Sequence, residues 1–224
     1  MNKAGICLFL IIFLFSACAT APKTTEIEKP EKVETPAVKK KAYVPTKEEK
    51  ESLKIFTEIL ELINSTSDRR SVLPQVEKLY TKIIREYPDA PLVHESYWKL
   101  ITIYVQDYSP PAYEKAEPLY NEFVEKYPGS VFKGFISETL GRSYYKNAEW
   151  DKLLKLCAPV FRDYVEKGKK TKASLIFMYS EANYNLGNFR EAEKGYRIVA
   201  EKFPALNEGA KSRLMLEKIG KEIN

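Results

Sequence analysis

The chain has 224 residues and a formal net charge of +5, with 44% hydrophobic and 30% charged residues, which is enough for one ordinary domain with a packed core. Nine glycines against fifteen tyrosines, with many Lys, Glu and Leu, favour helices over a turn-rich β fold. Lysines and glutamates are interspersed, without a continuous basic patch, and this argues against nucleic acid as a partner.

The first 17 residues have the pattern of an export signal. Lys3 and the free amine form a short positive end, and an unbroken apolar run follows from residue 6 to residue 15. A bilayer-spanning helix needs about 20 apolar residues, so this run is too short to be a membrane span. Two small residues, Ser16 and Ala17, then precede Cys18. We therefore expect residues 1–17 to be a signal peptide that is removed.

The ending Phe-Ser-Ala-Cys resembles the lipobox of bacterial lipoproteins, although Phe15 stands where Leu is usual. The resemblance implies that Cys18 receives a diacylglyceryl group and becomes the first residue of the mature chain. Each buried methylene adds about 0.8 kcal/mol, so two or three acyl chains make a lasting anchor. In the lipoproteins of enteric bacteria, an Asp directly after the cysteine keeps the protein at the inner membrane. Ala19 stands at this position here, so the resemblance favours the outer membrane. The alternative is an ordinary signal peptide that is cut nearby, for example after Ala19 or Ala21.

Residues 18–45 are expected to be a disordered, lipid-anchored linker. They are rich in Pro, Lys and Glu and lack glycine, so they cannot bury enough apolar surface to offset the entropy of ordering. Such a coil spans roughly 30 Å on average and about 80 Å when extended. The lysine run at 39–41 is either a solvated charge run or a contact for anionic headgroups or peptidoglycan.

A repeated pattern begins after the linker, in the predicted domain 46–224. The segments 73–88, 113–128 and 189–204 align directly, and 150–165 fits between them. Three aligned sets show the register: Leu73, Tyr113, Trp150 and Phe189; Val76, Ala116, Leu153 and Ala192; Tyr80, Tyr120, Cys157 and Tyr196.

Each of these segments has apolar residues at helical spacing and predicts an amphipathic helix. Pro88, Pro128 and Pro204 lie just past the ends of three segments, where proline stops a helix. Further helical stretches precede them at 92–106, 131–147 and 171–187, and Ser130 is expected as an N-cap. The pattern predicts about four pairs of antiparallel helices joined by short turns.

The two ends of the repeat region differ from its middle. In the first pair, residues 64–71 are expected to form a longer connection. At the other end, residues 206–222 predict a capping helix whose Leu206, Leu214 and Ile219 face the preceding pair. Its Lys211, Arg213, Lys218 and Lys221 are expected to face water.

The pairs resemble the tetratricopeptide repeat (TPR) over about residues 47–222. The motif residues are Leu140, Gly141 and Tyr144 on a first helix, and Ala192, Tyr196 and Pro204 on a second. The resemblance implies an all-α superhelix of TPR type whose concave side, formed by the first helices, receives protein segments. Carried over by position, the candidate binding residues are Glu95, Trp98, Thr102, Glu138, Arg142, Tyr145, Phe177, Glu181 and Tyr184. Trp98 and Phe177 are as readily explained as side chains packed between helices.

Residues that carry chemistry are sparse. His94 is the single histidine and has no neighbour at metal-ligand spacing, so it is expected to be a surface or half-buried helix residue. Cys157 is expected to be a small buried apolar group. No phosphate-binding loop and no nucleophile elbow is recognisable. We therefore expect neither an enzyme nor a protein that needs a metal or a cofactor.

A lipid anchor, a tether and a TPR-like stack together resemble the TPR lipoprotein subunit of the outer-membrane β-barrel assembly machinery. The resemblance implies a periplasm-facing scaffold that binds outer-membrane assembly subunits or barrel proteins. The alternative is an adaptor that regulates enzymes of peptidoglycan synthesis or cell division.

Overall fold

The computed structural model describes residues 43–222, and all regular secondary structure in this part of the chain is α-helical. The helices are α1 (Lys47–Asn64), α2 (Arg69–Glu86), α3 (Val93–Gln106), α4 (Tyr113–Lys126), α5 (Phe132–Lys146), α6 (Trp150–Lys167), α7 (Ala173–Asn185), α8 (Phe189–Lys202) and α9 (Asn207–Glu222). The predicted all-α fold is confirmed. Among the described helices, none has the length and apolar character needed to cross a bilayer.

The helices pack in the order in which the chain makes them. Successive helices form the pairs α1–α2, α3–α4, α5–α6 and α7–α8, and α9 follows the last pair. The second helix of each pair also packs on the first helix of the next, and α3, α5, α7 and α9 lie side by side. This arrangement is that of a helical-repeat protein, in which each pair covers the apolar face of its neighbour.

Helix ends follow the local sequence. Thr46 begins α1 with a capping box, because its hydroxyl accepts from the Glu49 N–H while the Glu49 carboxylate accepts from the Thr46 N–H. Each of the helices α2, α4 and α8 is followed directly by an aromatic residue and then by a proline. The prediction that these prolines lie just past the helix ends is confirmed. The helix α6 has Val165 where these helices have proline, so it continues to Lys167 and stops at Gly168 in the left-handed conformation, with φ 63°.

The predicted N-cap at Ser130 lies one residue further from α5 than expected. The N-cap position belongs to Val131, which has no capping side chain. The Ser130 hydroxyl still accepts from the Phe132 N–H at 3.2 Å, so it satisfies the first free donor of the helix.

The prediction of a long connection over residues 64–71 is wrong, because only residues 65–68 lie between α1 and α2. The helix α2 begins at Arg69, and the Asp68 carboxylate accepts from the Arg70 N–H at 3.1 Å. Asp is a strong N-cap because its short side chain reaches the free N–H groups of the first turn. The polar composition of this segment is therefore that of a helix start and not of an extended loop.

The prediction for α9 is correct for Ile219, which is 1% exposed, but wrong for two leucines. Leu206 is 48% exposed and Leu214 is 65% exposed. The buried side of α9 is formed instead by Gly209, Ser212 and Ile219, with Met215 and Leu216 half-buried. Gly209 lets the first turn of α9 approach the end of α8 closely, because a Cβ there would lie 2.2 Å from the Phe203 carbonyl oxygen. The side of α9 that approaches the stack thus carries the small residues Gly209 and Ser212.

Close helix approach at glycine is confirmed inside the stack. Gly141 on α5 is buried, and a Cβ there would lie 3.0 Å from the Met178 side chain on α7. Gly195 on α8 is closer still, since its Cβ would lie 2.1 Å from Ser180 Oγ on α7. The aligned Ala116 and Ala192 are fully buried, as the repeat pattern predicts.

Candidate functional site

The helices α3, α5 and α7, which are first helices of their pairs, lie side by side with α9, and we call the surface formed by these four helices the first-helix face. A groove of about 330 Å³ lies on it between α5, α7 and α9. Three of the candidate binding residues line this groove, namely Arg142, Tyr145 and Phe177. The other lining residues are Ser174, Met178, Asn207, Glu208 and Lys211, which sequence reasoning missed. It missed the last three because helical spacing alone does not show which side of α9 faces the stack.

Glu138 and Arg142 form an ion pair at one side of the groove. Arg142 donates to the Glu138 carboxylate at 2.7 Å, Lys172 donates to its other oxygen, and the Ser174 hydroxyl donates at 3.0 Å. Burial alone would raise the pKa of Glu138, but these hydrogen bonds outweigh it and lower that pKa to about 2. The single Glu138 carboxylate thus pairs with two cations, Arg142 and Lys172, so this cluster carries a net positive charge beside the groove.

Tyr145 and Glu181 are also brought together. The Tyr145 hydroxyl donates to Glu181 Oε2 at 3.0 Å, and the Tyr196 hydroxyl donates to Oε1. Burial, and then the charge of Glu181, raise the pKa of Tyr145 to about 12 and also raise the pKa of Tyr196. Glu181 is 8% exposed, so its carboxylate is a buried acceptor that orients Tyr145.

Phe177 and Tyr184 flank Glu181 on α7. Phe177 is 7% exposed and packs edge-to-face on Tyr196, so its ring is part of the helix packing, and the small part that remains exposed lines the groove. Tyr184 is half-buried, and the Lys218 ammonium lies 4.7 Å from the centre of its ring.

The candidates on α3 lie away from the groove. The Trp98 indole N–H donates to Thr139 Oγ1 at 3.1 Å, and its ring lies 5.6 Å from that of Phe135. The Thr102 hydroxyl donates to the Trp98 carbonyl at 2.7 Å, and Glu95 lies 4.0 Å from Lys99. Trp98 is therefore a half-buried link between α3 and α5.

Phe135 is an exposed aromatic residue that sequence reasoning missed. It is 43% exposed, and Lys172 lies 4.2 Å from the centre of its ring. Its position could have been found from the helical spacing, since residues 131, 135, 138, 142 and 145 form one stripe along α5. The stripe joins the aromatic contact at Trp98 to the groove at Tyr145.

His94 and Cys157 occupy the environments expected of them. His94 is half-buried, 3.1 Å from Ser130 Oγ through Nδ1, and burial lowers its pKa. Cys157 is fully buried, and burial raises the pKa of its thiol to about 12, so it stays protonated and unreactive at neutral pH. Within residues 43–222, no group of three or more His, Cys, Asp or Glu side chains is placed to hold a metal ion.

The predicted lipid-attachment residue Cys18 lies outside the described residues. The same is true of the predicted signal peptide at 1–17 and of the linker as far as residue 42. Comparisons with protein-family models, with characterised proteins and with solved structures gave no match for this chain. The site is therefore defined by its own geometry.

Proposed function

We propose that the helical stack is a TPR-like superhelix and that the protein is a non-enzymatic scaffold which binds other proteins through the first-helix face. The packing of each second helix on the next first helix supports the TPR-like reading, as does the close approach at Gly141. The groove between α5, α7 and α9 is the observation that carries the binding proposal.

The groove has the composition of a protein-binding surface. Phe177 and Met178 line it and are largely buried, and Tyr145 lines it with 39% of its surface exposed. Arg142 and Lys211 are exposed cations at the same groove. Aromatic residues and arginine carry much of the energy of protein interfaces, because they bury a large area and still form hydrogen bonds. An extended or helical protein segment is the ligand that fits this combination.

The place of action in this proposal comes from the N-terminal sequence. A lipid on Cys18 holds the stack at the outer membrane on its periplasmic side, and the linker places it away from the leaflet. There it serves as a docking subunit in the assembly of outer-membrane proteins. An adaptor for enzymes of peptidoglycan synthesis or cell division is the second candidate, supported by the same anchor and tether.

Site-specific photo-crosslinking tests the proposal. A photoreactive amino acid is introduced at Lys211, beside the groove, and at Asn121, an exposed position on α4, as the control. After illumination of intact cells, the adducts are purified from membranes and identified by mass spectrometry. We expect adducts from Lys211 and not from Asn121, and these should contain barrel-assembly subunits or barrel proteins. Adducts with peptidoglycan enzymes would favour the adaptor, and equal adducts at both positions would overturn the groove as the binding site.

A further inference from the structure

The helix α1 has two apolar sides, and the described residues cover one of them. Ser52, Ile55 and Ile59 are buried where α1 packs on α2. Leu53 and Leu60 are 57% and 46% exposed. In the rest of the stack, the first helix of a pair is covered by the preceding pair, but α1 is the first described helix.

The exposed side forms a regular stripe. Leu53, Thr57 and Leu60 follow each other at spacings of four and three residues, which places them on one line along the helix. All three are exposed, and Thr57 Oγ1 donates to the Leu53 carbonyl of its own helix. A small residue between two leucines lets a second helix approach closely at the middle of the stripe.

Charges beside the stripe select one orientation for that second helix. Lys54 and Glu61 each follow a leucine of the stripe and lie on the same flank, both exposed. Within residues 43–222 neither side chain forms an ion pair. An identical helix running antiparallel, with its centre at Thr57, sets Leu53 against Leu60 and Lys54 against Glu61, twice by symmetry. In a parallel pair this flank lies on opposite sides of the interface in the two helices, so Lys54 and Glu61 would not meet.

We propose that this protein forms a symmetric dimer through antiparallel packing of α1 against α1 of a second copy. The stripe is self-complementary in shape and in charge, and a two-fold interface requires both properties. Anchoring would strengthen the association, because it confines the copies to one surface and raises their effective concentration. The dimer uses α1, which contributes no residue to the groove on α5, α7 and α9.

Disulfide trapping of the full chain in its membranes tests this dimer. Thr57→Cys places two thiols next to the two-fold axis, and mild oxidation should then give a dimer on a non-reducing gel. Glu58→Cys is the matched control, since it is exposed on the same helix but lies off the stripe. The parent chain sets the background from its native cysteines. A dimer equally abundant with both variants, no dimer with Thr57→Cys, or adducts only with another protein would each overturn the proposal.

Charge exchange gives a second test that does not disturb the core. In the Thr57→Cys chain, Lys54→Glu should weaken association about tenfold, because two attractive pairs become repulsive. Adding Glu61→Lys should restore the cross-link, since the pairs re-form with reversed sign. Failure of this rescue would overturn the antiparallel register. The crosslinks expected from Lys211 to partner proteins should persist in all these variants, so failure of the dimer is distinguishable from failure of the scaffold.

Discussion

The Glu77 carboxylate on α2 lies 3.1 Å from the Lys115 ammonium on α4, across two successive helix pairs. The hydroxyls of Tyr104 and Tyr108 donate to the same carboxylate at 2.9 Å each. Burial of Glu77 alone would raise its pKa, but these hydrogen bonds outweigh it and lower the pKa. A carboxylate on the second helix of one pair thus binds both helices of the next pair and the turn between them.

The same contact recurs one pair further along the stack. Glu117 on α4 lies 2.9 Å from Lys152 on α6 and accepts from the Tyr144 hydroxyl at 3.0 Å. Lys152 also lies 4.6 Å from the centre of the Tyr113 ring. Polar contacts of this kind add to the apolar packing between pairs, and they set the register of one pair on the next.

We expect Glu77→Gln to lower the free energy of unfolding by about 1–2 kcal/mol, because the hydroxyls of the buried Tyr104 and the half-buried Tyr108, and the Lys115 ammonium, lose their charged acceptor. Urea unfolding followed by circular dichroism measures the change. Glu86→Gln is the control: Glu86 has 55% of its side chain exposed and lies 4.0 Å from Lys82, so its loss should cost less than about 0.5 kcal/mol. Equal effects of the two substitutions would contradict a special role for Glu77.

Acid should destabilise the stack in part through Glu122. Hydrogen bonds from Arg85, and then from Lys126 and Tyr97, lower its pKa to about 2 against the opposing effect of burial. A lowered folded-state pKa adds stability above the unfolded value of 4.5, and that stability is lost as the pH falls toward 2. Glu122→Gln should therefore remove about 1–2 kcal/mol at pH 7 and flatten the loss of stability between pH 4.5 and 2.

Thermal unfolding at a series of pH values checks this prediction. Glu125→Gln on the same helix is the control, because Glu125 is exposed and should leave the pH profile of the parent unchanged. A Glu122→Gln chain with the parent's full acid sensitivity would show that other carboxylates account for it.

The close approach of α8 to α7 should make Gly195→Ala destabilising by about 1–3 kcal/mol, despite the better helix propensity of alanine. The new Cβ would lie 2.1 Å from Ser180 Oγ, which is buried and donates to the Ile176 carbonyl. Combining it with Ser180→Ala should recover part of the loss, since the clashing oxygen is gone. A double-mutant cycle in urea measures the coupling, and strictly additive effects would argue against the clash.

Gly220→Ala provides the contrasting case for that experiment. A Cβ at this position of α9 would have no atom of residues 43–222 within 4 Å to clash with, so alanine should stabilise by about 0.5–1 kcal/mol through helix propensity.

The anchor is tested by growing cells with radioactive palmitate. The parent chain should be labelled, and Cys18→Ala should lose the label and leave the membrane fraction. Label that stays on the Cys18→Ala chain would rule out lipid attachment at this residue. The buried Cys157 is the internal reference, because its inaccessible thiol should take up no label when Cys18 is replaced.

Residues outside the helix core were the hardest to predict. The exposed position of Leu214 could not be foreseen, because helical spacing alone allows either side of α9 to face the stack. The Glu181 carboxylate was expected on a binding surface, but the hydroxyls of Tyr145 and Tyr196 occupy it. Both tyrosines are distant from Glu181 along the chain, and only packing brings them near.

The sequence by itself determined the helices and their pairing. Apolar spacing, prolines after α2, α4 and α8, and small residues such as Gly141 and Ala192 act locally, so they can be read from the order of residues. The tertiary structure alone decided which side of each helix remains free. That choice depends on contacts between residues some 30 to 40 positions apart, such as Glu77 with Lys115 and Glu138 with Lys172. Such contacts assemble the groove on α5, α7 and α9, and the packing of α1 on α2 buries Ile55 and Ile59 while the leucine stripe remains exposed.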